Sequence, residues 1–248
     1  MITLGVETAT MQGGVAIADG EGSILAELGL NVRNKNTHSE RLLPGLQYLL
    51  EQTGIEIGEI GLLAVSSGPG SFTGLRVGLG IVKGIAYAFP EKKVVAVPTL
   101  EALAWRLPFS LAPVCPLLDA RKGELYGGVF MWRDDGFCRL VPESVLPPDR
   151  WVRIAADLCG AGTCKETPQR RDKIILMGEG ARIYREQFSA GLGEKAVFAP
   201  PEVMSPSAAS VAGLGARMAM ENRFADPSAL VPFYIRKSEA ELKWQLKS

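Results

Sequence analysis

A single histidine limits the chemistry open to this chain. His38 is the only His in 248 residues. That excludes HExxH zinc sites and His-rich metal clusters, and any Ser–His–Asp triad would have to run through His38. The residue four positions on, which would complete HxxxH on one helical face, is Leu42. The four cysteines, at 115, 138, 159 and 164, form no CxxC. Zinc-knuckle and thioredoxin-type readings therefore fail, and the thiols read as reduced ones in a cytoplasmic protein, with two disulfide bridges as the alternative. Two groups of residues suit an anion. Glu7, Thr8 and Thr10 place a carboxylate and two hydroxyls at a strand end, where they can orient magnesium and phosphate or serve as ordinary hairpin residues. The run Ser67-Gly68-Pro69-Gly70-Ser71-Phe72-Thr73-Gly74 lies between a predicted strand and a predicted helix. Free backbone N–H groups and the positive end of a helix make such a loop a phosphate site, with Gly68, Gly70, Ser71 and Thr73 as its candidates. Its spacing is neither GxGxxG nor a Walker A motif. The competing reading is a tight connection that lets the helix sit close to the sheet. Asp119, Arg121 and Glu124 read as a charged hairpin turn.

The elements that position these residues follow from periodicity. Runs at 2–6, 14–18 and 24–30, separated by turn signals, predict a three-stranded antiparallel meander. Thr37 and Glu40 form a capping box, and Leu42, Leu43, Leu46, Leu49 and Leu50 recur at helical spacing, so 38–52 is a helix that Pro44 should kink. Strand 60–65, helix 75–88, strand 94–97 and a helix capped by Thr99 then imply right-handed crossovers and parallel pairing. Beyond Pro108 and Pro113, strands are expected at 114–118, 125–131 and 174–177, and helices from 181 to 188 and 207 to 222. Residues 134–173 read as turn-rich loop, and the tail 235–248 as exposed. Both halves show strands followed by helices, so a duplicated α/β architecture is expected. Its boundaries are 1–104 and 105–248, and the last helix could pack back on the first half.

Composition agrees. Basic and acidic residues number 27 each, and 47% of the chain is hydrophobic. Neutrality excludes a binder held to nucleic acid by many phosphate contacts. The most apolar stretch, 77–89, contains Lys83 and is too short to span a bilayer, so no membrane association is expected.

The helix after the glycine-rich loop carries Gly74, Gly78, Gly80 and Gly84. Each interior Gly costs about 1 kcal/mol relative to Ala, so the row needs a reason. Gly74, Gly78, Ile81 and Ile85 share one side, with Val77 and Gly84 beside them. Small residues four apart let two backbones approach closely, and the partner is either the protein's own sheet or the helix of another chain.

The run from Ser66 to Arg76 resembles the hallmark of the bacterial TsaB (YeaZ) family. Supporting segments occur in the family's order: Thr8-Ala9-Thr10, 38–44, 98–102, 119–126, 178–181 and Val231-Pro232-Phe233-Tyr234-Ile235-Arg236. The resemblance implies an actin/sugar-kinase/Hsp70-like fold of two related subdomains. It also implies a part in making threonylcarbamoyladenosine beside the anticodon of tRNAs that read codons starting with A. The implied role is that of a non-catalytic partner of a TsaD-like catalytic subunit, whose metal is held partly by an HxxxH pair. Here His38 matches the first His of that pair and Leu42 the second, so neither a catalytic residue nor a metal ligand is expected. Glu7 stands where family members usually carry Asp. ATP and metal would belong to the partner subunits, which include a TsaE-like ATPase. The chain would form homodimers when alone and meet tRNA only through the complex. The resemblance gives the two helices a contact surface, with Leu42, Leu46, Gly74, Val77, Gly78, Ile81 and Ile85 as its expected residues. The rival reading is an ATPase or kinase with its own phosphate site, or a metalloprotease-like enzyme.

Overall fold

The computed structural model describes residues 1–31, 38–133, 136–160 and 172–235. The first half opens with β1 (Ile2–Glu7), β2 (Gln12–Ala18) and β3 (Ile24–Asn31), an antiparallel meander. It continues with α1 (His38–Thr53), β4 (Ile60–Gly68), α2 (Phe72–Ala88), β5 (Lys93–Pro98) and α3 (Thr99–Ala104). β4 pairs in parallel with β1, and β5 with β4, which gives a sheet of order β3-β2-β1-β4-β5. The second half repeats the plan. β6 (Val114–Asp119), β7 (Leu125–Arg133) and β8 (Gly136–Leu146) form the meander, and α4 (Pro148–Gly160) follows. β9 (Ile174–Met177) and β10 (Ala196–Phe198) add in parallel to give β10-β9-β6-β7-β8. Between them lie α5 (Glu179–Ile183) and α6 (Arg185–Leu192), and α7 (Ala208–Met220) closes the second half. Two copies of one meander-plus-two-parallel-strands unit make an actin/sugar-kinase/Hsp70-like fold.

Alternation along the strands builds the layers. Leu4 and Val6 of β1 and Leu63 and Val65 of β4 face α1 and α2, where Leu42, Leu46, Leu49, Leu79 and Val82 close one core. Their neighbours Leu62 and Ala64 face the opposite way, onto Val211, Leu214 and Met218 of α7. α7 lies close on the first sheet because the contact residues are small: a Cβ on Gly5 would stand 2.8 Å from that of Ala212. α3 fills the space between lobes, with Leu100 and Leu103 against Val114, Leu118 and Phe130 of the second sheet. On the far side of that sheet, Trp151 of α4 and Phe188 of α6 are buried.

Several expectations need correction. Residues 136–160 are not loop. β8 is an outer strand with half-exposed residues on both faces, so it shows no clean alternation, and Pro142 further obscures it. α4 buries Trp151 and Ala155 one turn apart, after Pro148 at its first position. The helix expected over 181–188 is two short helices that meet at Tyr184. Thr99 does not cap α3: Pro98 holds the cap position, and the Thr99 hydroxyl accepts the Gly68 N–H at 3.2 Å. α1 runs unbroken through Pro44. Thr37 with its capping box, the side chain of His38, Cys164 and the tail beyond Ile235 lie outside the described residues. Among the described cysteines, Cys115, Cys138 and Cys159 are free thiols.

One buried cation locks the start of β4. The side chain of Lys92 is 1% exposed, and its ammonium donates to the carbonyls of Gly58 at 3.2 Å and Ile60 at 2.6 Å. It also sits over the Phe89 ring. Lys92→Met would remove the ammonium donor from the buried Ile60 carbonyl and from the more exposed Gly58 carbonyl. It is expected to cost about 2–3 kcal/mol in urea unfolding at neutral pH, and a loss below about 0.5 kcal/mol would refute this role.

Candidate functional site

The glycine-rich loop is a structural knot, and its backbone explains why. β4 ends at Gly68, whose φ of +119° places it in the region that favours glycine. The Ser71 N–H donates to the Ala9 carbonyl at 2.7 Å, which ties the loop to the end of β1. Ser71 caps α2, its Oγ accepting the Gly74 N–H at 3.2 Å. The donors at 68, 71 and 74 are thus occupied inside the chain, by Thr99, Ala9 and Ser71. At Gly68 and Ser71 these bonds suit a tight connection that lets α2 approach the sheet, while Gly70 and Ser71 also line a cleft between the lobes. A Cβ on Gly70 would stand 2.8 Å from that of Ala9, and one on Gly74 would overlap the Thr8 carbonyl oxygen.

The carboxylate group expected beside it is present but sealed. Glu7 is fully buried, with Oε1 accepting the Ala9 N–H and Oε2 lacking a hydrogen-bond partner among the described residues. Burial pushes its carboxyl up to about 8, against the smaller opposing effect of its hydrogen bonds to Ala9, Ser66 and Thr8. A neutral, enclosed carboxyl is a poor magnesium ligand, because hard cations bind ionised oxygen. The Thr8 hydroxyl is buried beneath Gly78. Among these three residues only Thr10 reaches a cavity, a cleft of about 710 Å³ between the lobes. Its walls are Ala9, Met11, Ser71 and Phe72 from the first half and Asp119, Arg121, Lys122 and Glu179 from the second. The charged hairpin turn after β6 is therefore a cleft wall, with Arg121 and Lys122 at φ values of +64° and +55°. Glu179 is raised above the usual carboxylate range by burial and then by neighbouring Asp119. Sequence analysis picked out 178–181 only as a family segment, and nothing local in Gly178-Glu179-Gly180 places Glu179 on a cleft wall with residues about 60 positions earlier.

The two helices expected to form a partner surface divide differently from the sequence reading. Leu42 and Leu46 are buried against the chain's own sheet, and Gly74 and Gly78 press on Thr8. These four residues are covered within the chain itself, because α1 and α2 each bury that face in the first core. Ile81 and Ile85 are half-buried along its edge, and Val77 is half-buried farther out. The outward stripe of α2 is instead Thr73, Val77, Gly80, Gly84 and Tyr87, and nothing lies within 4 Å of a Cβ built at Gly80 or Gly84. On α1 the outward residues include Leu43 and Tyr48, about half exposed, and Tyr87 of α2 is 89% exposed.

Comparison with known proteins agrees with this architecture. The family described as TsaD, tRNA N6-adenosine threonylcarbamoyltransferase, matches residues 32–244. The tRNA threonylcarbamoyladenosine biosynthesis protein TsaB of Bacillus subtilis is 27% identical over 98% of this chain and 98% of its own length. The Escherichia coli protein of the same name is 28% identical over 97% and 96%. The solved structure of YeaZ from Pseudomonas aeruginosa superimposes with a TM-score of 0.73 at 25% identity, covering 94% of this chain and 99% of that one. A chain that carries the hallmark loop, the duplicated fold and full-length similarity to these proteins belongs to the TsaB (YeaZ) family of tRNA threonylcarbamoyladenosine biosynthesis proteins, within the broader TsaD-type family.

Proposed function

We propose that this chain serves threonylcarbamoyladenosine modification of tRNA as a non-catalytic subunit, docking onto a TsaD-like catalytic partner through the outward faces of α1 and α2. The observation that carries this reading is the pair Gly80 and Gly84. Each costs the helix about 1 kcal/mol relative to Ala. Neither is required by the chain's own packing, since space beside both is open. A second helix seated there would use that space, with Leu43, Tyr48 and Tyr87 as apolar flanks. Leu42 also supports a non-catalytic role: the position of a second metal-binding His is taken by a core side chain that is 1% exposed.

In this reading the chain has no cofactor of its own. ATP and metal belong to the catalytic subunit and a TsaE-like ATPase, and tRNA is met through the complex in the cytoplasm. When alone, the same face pairs two copies of the chain. No described helix is long and apolar enough to cross a membrane. The test is the double variant Gly80→Leu, Gly84→Leu, examined by melting and by pull-down of the TsaD-like subunit. It is expected to melt no lower than the wild type and to lose at least about tenfold in partner affinity. Wild-type affinity in a folded double variant would overturn the proposal.

A further inference from the structure

The segment Val231–Ile235 belongs to a strap that runs back over the first lobe after α7. Its course starts at the outer strand β5, where the Ala225 N–H donates to the Val94 carbonyl at 2.8 Å. Lys83 of α2 reaches the Ser228 carbonyl at 3.5 Å, and Leu230 enters the core beneath α2. The Phe233 N–H then donates to the Ser67 carbonyl at 2.7 Å, inside the hallmark loop. The Phe233 carbonyl oxygen lies 2.5 Å from where a Cβ on Gly68 would stand, so the strap and the loop fit only while residue 68 is Gly. The Tyr234 ring stacks on Phe72 with centroids 4.1 Å apart and planes 10° from parallel. Arg76 donates from Nε to Tyr234 Oη at 3.2 Å and lies over the Phe72 ring at 5.9 Å. One residue later, Ile235 packs into the core between the lobes, with Leu118 and Tyr126.

Phe72 is the link. It is the first residue of α2 and a wall of the interlobe cleft. Its ring is held by Tyr234 on one side, while Phe233 braces the loop that leads into it. The strap has no helix or strand of its own beyond Met220. It is fastened by isolated hydrogen bonds, one stack and two apolar side chains, and segments held this way open at lower free energy than sheet cores. Val231 and Phe233 keep more than half of their surface in solvent.

We propose that residues 225–235 form a latch on the cleft: the Phe72–Tyr234–Arg76 clamp keeps the mouth narrow, and release of the strap frees the hallmark loop and opens the cleft. No partner subunit enters the test, so its outcome is independent of the docking reading above. Full-length wild type, Tyr234→Ala and Tyr234→Phe are compared by amide hydrogen exchange and by hydroxyl-radical labelling. Tyr234→Ala is expected to speed exchange of amides in residues 67–76 by about tenfold, the loss of one stack and one hydrogen bond, while β1 and α7 keep wild-type rates. Labelling of Tyr126, which is 8% exposed and lines the cleft, is expected to rise with it. Tyr234→Phe retains the stack and loses only the exposed hydrogen bond from Arg76, so it should lie between wild type and Tyr234→Ala on both readouts, nearer to wild type. Unchanged exchange at 67–76, acceleration spread evenly over both sheets, or faster exchange without greater Tyr126 labelling would each overturn the latch.

Discussion

Replacing Gly74 by alanine is expected to destabilise the protein by about 3 kcal/mol or more, a fall of about 10 °C in melting temperature for a chain of this size. The reason lies in what the added methyl meets. At Gly74 it would overlap the carbonyl oxygen of Thr8, a backbone atom of the loop leaving β1. A flexible side chain could swing aside, but this carbonyl cannot move without disturbing the Ser71–Ala9 bond and the seat of α2 on the sheet. The gain of about 1 kcal/mol in helix propensity offsets only part of the strain. Gly78→Leu should fail for a related reason, since its Cβ would run into the Thr8 hydroxyl and the residue is buried. Gly84→Ala is the internal comparison: with open space beside it, the same chemical change is expected to raise the melting temperature by a few degrees. Circular-dichroism melts of the three variants check the set. A Gly74→Ala protein that melts within a degree or two of wild type would show that α2 is not held on Thr8 as the structure has it.

The second large effect concerns pH and Glu7. Its carboxyl titrates near 8 in the folded protein and near the ordinary 4.5 when the chain unfolds. The folded state therefore holds this proton more tightly, and its contribution to stability is fully present below about 4.5. It is lost progressively as pH rises toward 8, and above that the penalty of a buried charge is constant. At about 1.4 kcal/mol per pH unit, the whole interval corresponds to a loss on the order of 5 kcal/mol. Glu7→Gln keeps an acceptor for the Ala9 N–H and removes the ionisation. Its stability relative to wild type should be close to zero at pH 4.5 and should climb steadily to a clear advantage at pH 8–9. Glu101 and Glu179 are also raised above the usual range by burial, but they are present in both proteins and cancel in the difference. Urea titrations at unit steps of pH provide the measurement, and parallel profiles for the two proteins would contradict a sealed, neutral Glu7. In the structure this carboxyl accepts the Ala9 N–H from within the first lobe.

Much of the first half was legible because its signals are local. Strict turn chemistry separates β1, β2 and β3, and the alternation of Leu4, Val6, Leu63 and Val65 with their neighbours fixes which residues share a sheet face. The hallmark loop was legible as a connection, but its use was not. Whether its N–H groups await a phosphate or are taken by Ala9, Ser71 and Thr99 depends on residues up to 62 positions away. The second half was less legible. β8 lies at the sheet edge with half-exposed residues on both sides, so its burial leaves no period to read.

The sequence by itself determined the duplicated strand-and-helix plan, the lack of a second metal-binding His, and the need for some close contact along the glycines of α2. Only the tertiary structure decided where that contact falls. Helical spacing says which residues share a face, but α2 is apolar or small on nearly all sides, so the pattern cannot say which face meets the sheet. The choice is made by Thr8, which turns Gly74 and Gly78 inward and thereby leaves Gly80 and Gly84 facing out. The same holds for Leu42 and Leu46 against Leu43 on α1: all three are leucines within one helix, and only the position of the strands beneath them separates core from surface. The strap that returns to Phe72 was likewise beyond reach, because nothing local in a string of residues near its end announces a ring 162 positions earlier.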